Sequence, residues 1–424
     1  MTLTKVTNSM VVGAPINVKD YGAKGDATTD DTAAIQSALN AVSATGNCVY
    51  FPKGEYLITS SLSVSKQATY ILGENPPSPS AAVRIKYTGL LDATLSMIFC
   101  TSDAQGFSIK NLYLNANDLA GYCLTQEGIG SPTKLTRGNF VSNITFFGYV
   151  TAAWVIGDST DTLNSAQFQL INAESIRIIG SALGTNANGI HLNAQNCEFL
   201  NINGIYIDPT PGREHTNHIR QISGGLNIKG LISTRAGTAS GTGGFAIYSR
   251  DQVVINGWRT EDTLLLDMEG VGASPGSIIN GLYHRRTLIP GATTVITVGH
   301  TDGNVRFDSP VINGTMTIES TTAKFVTVTG AKFVGAGAGF SFSGPQNTNG
   351  IFHDVSTGNF VLRGSATSID LFSASGGTGN KYSFDEMKLT QKTSASASNQ
   401  SIFVDSADGV LKFKDSGGVL HSLY

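Results

Sequence analysis

Ile202-Asn203-Gly204-Ile205-Tyr206-Ile207-Asp208 is one copy of a block that recurs along the chain. Ile228-Lys229-Gly230-Leu231, Ile255-Asn256-Gly257-Trp258-Arg259-Thr260-Glu261, Ile279-Asn280-Gly281-Leu282-Tyr283 and Ile312-Asn313-Gly314-Thr315 follow the same pattern. Earlier copies carry Asn at the Gly position: Ile109-Lys110-Asn111-Leu112 and Val141-Ser142-Asn143-Ile144, with Ala173-Glu174-Ser175-Ile176 a weaker member. The shared position reads Asn111, Asn143, Ser175, Gly204, Gly230, Gly257, Gly281 and Gly314, at intervals of 24 to 33 residues. Gly and Asn are the residues that tolerate a left-handed backbone, so this position is a recurring tight bend. One and three residues after it the side chains are mostly apolar or small. Two and four residues after it they are mixed and often polar. Alternation with period two marks a strand with one buried face.

Repeats of roughly 25 to 30 residues, built from strands and turns, point to a parallel β-solenoid. No helical periodicity runs between the strands, which excludes leucine-rich and helical repeats. A β-propeller is the competing architecture, but its blades run nearer to roughly 40 residues.

The totals agree with this reading. The chain has 424 residues, 49 of them Gly; 40% are hydrophobic and only 14% charged, so it has core material and many turns. The net charge is −3, without a basic patch, and no phosphate-tracking surface for nucleic acid is expected. Cys48, Cys100, Cys123 and Cys197 are far apart and form no Cys-x-x-Cys pair. They read as buried small hydrophobes rather than a disulfide or zinc framework. No basic-then-apolar leader and no apolar run of membrane-spanning length occurs, so neither standard secretion nor membrane insertion is expected.

A second stretch sits near the start: Ile16-Asn17-Val18-Lys19-Asp20-Tyr21-Gly22-Ala23-Lys24-Gly25-Asp26, then Thr28 to Gln36, then Val49-Tyr50-Phe51-Pro52-Lys53-Gly54-Glu55-Tyr56. Gly22, Gly25 and Asp26 supply turn chemistry. Thr28 to Asp31 offer N-cap oxygens and negative charge at a helix start. Ile35, Leu39 and Val42 give the helix one apolar face, and Gly46 stands at its C-terminal stop. A single amphipathic helix ahead of a chain of strands serves to cover the open end of a sheet structure.

These residues resemble the N-terminal start of the pectate-lyase-like right-handed β-helix family, especially phage tailspikes that bind or cut surface polysaccharides. Ala27 stands where such chains usually show Gly. The resemblance implies an all-β, right-handed parallel β-helix with a short N-terminal capping helix. It also implies a virion-tail protein acting at the host surface, whose partner is a bacterial surface polysaccharide. The activity implied is a polysaccharide depolymerase, an endo-glycosidase before a lyase, with a non-catalytic glycan receptor as the alternative. No cofactor or metal is expected. The Arg-x-Pro-x-x-Arg signature of pectate lyases is absent, which argues against a calcium-dependent lyase. Gly299-His300 is half of a polygalacturonase Gly-His-Gly motif whose other pieces are missing.

Residues 1–15 read as an arm, 16–100 as the start of the β-helix with its cap, 101–345 as regular rungs, and 346–390 as late β-structure. Residues 391–424 read as a linker and short alternating strands with Gly turns, too small to bury a core alone. They are expected to pack against copies of themselves as the stem of a homotrimer. With few residues ahead of the β-helix, attachment to a virion is expected through the arm or through a baseplate or adaptor protein.

Stacked strands place the polar offsets in an outward strip. If the rungs are consecutive, Asp208 and Glu261 lie two rungs apart, roughly 9 to 10 Å. Inverting glycoside hydrolysis uses carboxyls roughly 6.5 to 9.5 Å apart, with a water between them. Asp208 and Glu261 are therefore the expected acid and base, with Asp262 a neighbour able to share the role. Arg259, Arg285 and Arg286 would hold carboxylate-bearing sugars, and Tyr206 and Tyr283 would stack on sugar faces. Outward Asp, Glu and Arg on a solenoid equally form a solvated surface with weak ion pairs. Lesser candidates are Asp267 and Glu269, the acidic pair Asp158 and Asp161, and Arg213-Glu214-His215 with His218, read as a solvated loop.

Overall fold

A computed structural model describes residues 14–43, 46–75, 83–127, 138–157, 170–181, 187–194, 199–209, 213, 215–234, 245–261, 264–268, 276–285, 294–299, 304–319, 325–343, 350–354, 359–363, 391–392, 401–405 and 407–423. The chain divides into two units, Met1–Ile369 and Asp370–Tyr424.

In the first unit the strands up to Ser343 stack in parallel, turn upon turn, as one wound sheet. The β-helix expected from the repeats is what the chain forms. Each repeat block is a strand bent in the middle. Asn111, Asn143, Ser175, Gly204, Gly230, Gly257 and Gly281 all have φ between +53° and +81°. Each bend shifts the alternation: Val253 and Ile255 point inward before Gly257, and Trp258 and Thr260 after it. Two sheets thus arise from one strand, and the strand that follows each block forms the third. Leu112, Ile144, Ile176, Ile205, Leu231, Trp258 and Leu282 stack in register inside the coil and are essentially buried. Each such side chain contributes about 1.5–3 kcal/mol on burial. The one inward Ser beside Trp258 has a reason: the indole N–H donates to Ser233 Oγ at 2.7 Å.

The bend series does not continue through Gly314. Asn280 pairs with Asp308, and Asp308 with Thr329. The bends after Gly281 are therefore Ser309 (φ +51°) and Gly330 (φ +63°). Pro310 then sends the chain straight into Val311–Glu319, whose second half pairs with Thr294–Gly299 on the next sheet. Met316, two residues past Gly314 and so at an offset that the repeat would turn outward, is consequently in the core.

The helix Thr32–Asn40 buries Ile35, Ala38 and Leu39, with Val42 behind them, and packs on Val18–Tyr21 and Leu62–Val64. Of the two acidic residues at its start, Asp30 supplies an oxygen to the first helical N–H as expected, and Asp31 does not. Asp31 makes no cap bond; its buried carboxylate turns back to accept from the N–H of Lys24 (2.6 Å) and Gly25 (3.0 Å). Asp30 instead accepts from Thr32 N and Oγ1 and from Thr59 Oγ1. The two carboxylates tie the loop and the next turn to the lid.

Also in this unit, Gly350–Asp354 and Asn359–Arg363 form an antiparallel pair. In the second unit, Ser401–Asp405, Leu411–Lys414 and Leu420–Ser422 form a small antiparallel sheet, joined in parallel by Gln391–Lys392. Lys412 Nζ reaches Asp405 at 2.8 Å and Asp408 at 2.6 Å. Ile402, Val419, Leu420 and Leu423 are exposed.

Candidate active site

The second leg of each block carries the outward strip. Its register is continuous from one end of the solenoid to the other. Asp26, Glu55, Arg84, Tyr113, Thr145, Arg177, Tyr206, Ile232, Arg259, Tyr283, Val311 and Lys332 stand in one column, each opposite the next. Two residues further on, Asp208, Thr234, Glu261 and Arg285 occupy consecutive rungs. Their amides bond Ile178 O, Ile207 O, Ser233 O and Thr260 O of the turn below. Asp208 and Glu261 are thus two rungs apart with Thr234 between them, a backbone separation of roughly 9 to 10 Å.

Local partners hold both carboxylates. Tyr206 Oη donates to Asp208 Oδ2 at 2.7 Å, and Thr234 Oγ1 donates to Asp208 Oδ1 at 2.5 Å. Burial, then the bond to Asp208, pushes the Tyr206 phenol up to about 12, so it remains a proton donor. Arg177, one rung down, lies over the Tyr206 ring at 5.5 Å. Glu261 Oε1 accepts from Arg285 Nη1 at 2.6 Å. The Arg285 side chain is 47% exposed and that of Glu261 14%, so the pair is half in water and weak in net stabilisation. Arg259 and Tyr283 are exposed, and Arg259 has no ion pair among the described residues.

The structure therefore brings Tyr206, Asp208, Arg259, Glu261, Tyr283 and Arg285 onto one face. Asp262 and Arg286 lie outside the described residues, as do Asp158, Asp161, Glu214, Glu269 and His300. Asp267 lies on the third sheet, in the strand Leu264–Met268. Among the described residues no group of three His, Cys, Asp or Glu could hold a metal ion. Sequence reasoning did not single out Arg177 or Thr234, although both stand at the repeat's polar offsets. It also did not reach Glu55 and Arg84, which extend the strip toward the N-terminus. There Arg84 lies 5.2 Å over Tyr113 and 3.6 Å from Glu55, and Tyr113 meets Phe147 at 6.4 Å.

Arg213, His215 and His218 do not form a solvated loop. At the corner beside the strip, backbone bonds join Asp118 to Gly148, Gly148 to Gly180 and Ser181 to Arg213, four turns in sequence. Arg213 runs down this corner to make a two-pronged bond with Asp118, at 2.6 and 2.9 Å, and a third bond to Ser181 O at 2.8 Å. Its guanidinium covers the Phe147 ring at 4.8 Å. Gly180 leaves room for it, since a Cβ there would stand 3.1 Å from Arg213 Cβ. His215 and His218 lie in the strand His215–Ser223 and are buried. Tyr149 Oη bonds His215 Nε2, and the two imidazoles meet edge to face at 5.1 Å.

Comparison with known proteins adds a family. Residues 15–94 match the family described as rhamnogalacturonase A/epimerase, pectate lyase-like. An exopolygalacturonase (clone GBGA483) of Arabidopsis thaliana is 28% identical over 312 residues, covering 69% of this chain and 57% of that protein. Alginate lyase 7 of Azotobacter vinelandii is 48% identical over 64 residues, covering 13% of this chain and 8% of that protein. The chain thus spans little more than half of the first relative and a small part of the second. Among solved structures, bacteriophage CBA120 tailspike protein 3 aligns with a TM-score of 0.39 and 13% identity, covering 100% of this chain and 72% of that one. The pectate-lyase-like family match thus falls on residues 15–94, the capped end of a continuous stack of parallel strands.

Proposed function

We propose that the chain is the body of a phage tailspike that recognises and depolymerises a bacterial surface polysaccharide, such as a capsule, exopolysaccharide or O-antigen, during host adsorption. The observation that carries this reading is the in-register outward strip, on which arginines and tyrosines recur (Arg84, Tyr113, Arg177, Tyr206, Arg259, Tyr283) beside the carboxylates Asp208 and Glu261. It offers a linear substrate repeated cationic and stacking contacts along the solenoid axis. The similarity to a named exopolygalacturonase and a named alginate lyase supports polysaccharide as the substrate class.

Asp208 and Glu261 are the proposed acid and base, separated by enough room for a water over Thr234, with Asp262 as a neighbouring carboxylate. Arg259, Arg285 and Arg286 hold acidic sugars, and Tyr206 and Tyr283 pack against sugar faces. This spacing favours hydrolysis with inversion, and endo-glycosidic cleavage is the proposed mode. Exposed Ile402, Val419, Leu420 and Leu423 support assembly of the C-terminal sheet into a homotrimer. A baseplate or adaptor protein is the proposed attachment partner at the virion tail.

Release of reducing ends from purified capsule or O-antigen tests the enzyme. Asp208→Asn and Glu261→Gln are each expected to lower turnover by about 10²–10⁴-fold. Undiminished turnover in both sinks the pair. Binding without new reducing ends favours a non-catalytic receptor spike, and products with the ultraviolet absorbance of an unsaturated uronic acid favour a lyase.

A further inference from the structure

His218 is a buried imidazole that the proposed chemistry does not yet use. Between the register pairs Asn188↔Asn217 and Ile190↔Ile219 it falls opposite Gly189 on the turn below. Between Asn217↔Phe245 and Ile219↔Ile247 it falls opposite Ala246 on the turn above. Two small residues thus flank the ring. Gly189 admits nothing larger, since a Cβ there would meet the His218 carbonyl. The same interior position three turns below His218, beyond Gly189 and Ala153, is held by Cys123, whose Sγ lies near Leu114 O and Phe147 O at the end of the outward strip. By the repeat of the coil, His218 stands behind the end of its own strip strand, at Ile207 and Asp208.

Both ring nitrogens of His218 are buried and have no hydrogen-bond partner. Three more atoms of the same short stretch share that condition: His215 Nδ1, Thr216 Oγ1 and Asn217 Oδ1. Buried polar atoms are rarely left so, and ordered water is their usual partner in a polar, roomy interior. Against His218 lies His215 on its own strand, with Tyr149 beyond His215 at the corner; the charge that acts on it is that of Asp208, at the end of the strip strand. Burial pulls His218 down to about 3, while the Asp208 carboxylate opposes that pull. The ring is therefore neutral and keeps one N–H to donate.

We propose that His218 is a positioning residue for Asp208, its neutral imidazole donating from the interior through one ordered water to the back of the carboxylate. The Tyr206 and Thr234 hydroxyls already hold Asp208 from the outer side. A third donor from behind fixes its rotamer and leaves its outward lone pairs for substrate. This inference rests on the reading of Asp208 as a catalytic carboxylate.

The test uses the full chain with His218→Leu, which fills the space with an apolar group, and His218→Gln, which restores a donor. With a cleavable polysaccharide, His218→Leu is expected to lower kcat about tenfold with KM unchanged and to move the acid limb of the pH–rate profile. His218→Gln is expected to recover most of the loss. The readout without substrate is the ¹⁵N spectrum of the His218 ring, which Asp208→Asn is expected to shift. An unmoved ring spectrum in Asp208→Asn, or a His218→Leu enzyme with wild-type kcat and pH profile, overturns the proposal. If Asp208→Asn shifts the ring yet cleaves normally, the link between the two residues stands, and the catalytic reading of Asp208 falls, taking the positioning role with it.

Discussion

Replacing Arg213 by Ala should loosen four successive turns at one corner. The guanidinium makes two bonds to Asp118, at 2.6 and 2.9 Å, and one to Ser181 O at 2.8 Å, and it covers Phe147. Bonds to charged groups are worth about 1.5–3 kcal/mol each when sheltered. The Arg213 side chain is 14% exposed and that of Asp118 34%, so solvent screens part of this. A net loss of about 2–4 kcal/mol for Arg213→Ala follows, with about 1–2 kcal/mol of it appearing as coupling in a double-mutant cycle with Asp118→Asn. Asn117 and Asp118 both hold left-handed backbone (φ +56° and +61°), a conformation the bridge helps to maintain. A solenoid opens turn by turn, so a single melting temperature blurs the effect. Amide hydrogen exchange resolves it: Asp118, Gly148 and Ser181, whose N–H groups bond across these turns, should exchange about thirtyfold to several hundredfold faster. Wild-type exchange at those amides, or additivity of the two substitutions within about 0.5 kcal/mol, would refute the reasoning.

Ala27 has φ +63° at an exposed turn, so Ala27→Gly should stabilise the chain by up to about 1 kcal/mol in thermal denaturation, as should Ser175→Gly at its bend. Gly180→Ala should cost about 1–3 kcal/mol, because φ +142° is glycine territory and the new methyl crowds Arg213; an unaffected melt would contradict this. Burial holds His215 and His218 below the usual histidine value of 6.5 when folded, so the unfolded chain binds more protons. Their stabilisation is complete above 6.5 and is lost as pH falls from there toward about 3, the His218 value. Wild type should therefore lose more thermal stability than His218→Leu between about pH 7.5 and about pH 5, above most carboxylate titration; equal losses would exclude the buried imidazole as the source.

The repeat was legible because its bends fall on Gly and Asn, the residues that announce a left-handed backbone. Where the same bend is made by Ser309, nothing in the side chain betrays it, and the nearby Gly314 took its place in the reading. Asp208, Glu261 and their neighbours could be set on one face because offset from the bend fixes which way a strand residue points. The Arg213–Asp118 bridge could not be found that way. Its partners are 95 residues apart, and what joins them is a stack of loop corners whose lengths vary from turn to turn. The buried histidines were misread for a related cause: a block rich in polar residues after Pro211 has the composition of a loop, although one bulged strand places it inside. Asp31 shows the limit at the level of one side chain. Its position before the helix suggested a cap, but packing turned the carboxylate back toward Lys24 and Gly25.

The in-register column also makes distance in this molecule a discrete variable. Between Gly230 and Gly257 lies one whole coil, and it carries Thr234. Removing that coil would leave every side chain on its own face while drawing Asp208 and Glu261 onto adjacent turns, roughly 5 Å apart. That is the separation, roughly 5–5.5 Å, at which a pair of carboxylates works by covalent displacement with retention rather than through an intervening water. If Asp208 and Glu261 are the acid and base proposed above, the stereochemical course of the reaction is set by a count of coils, and loss of a single repeat changes it while both carboxylates stay in place.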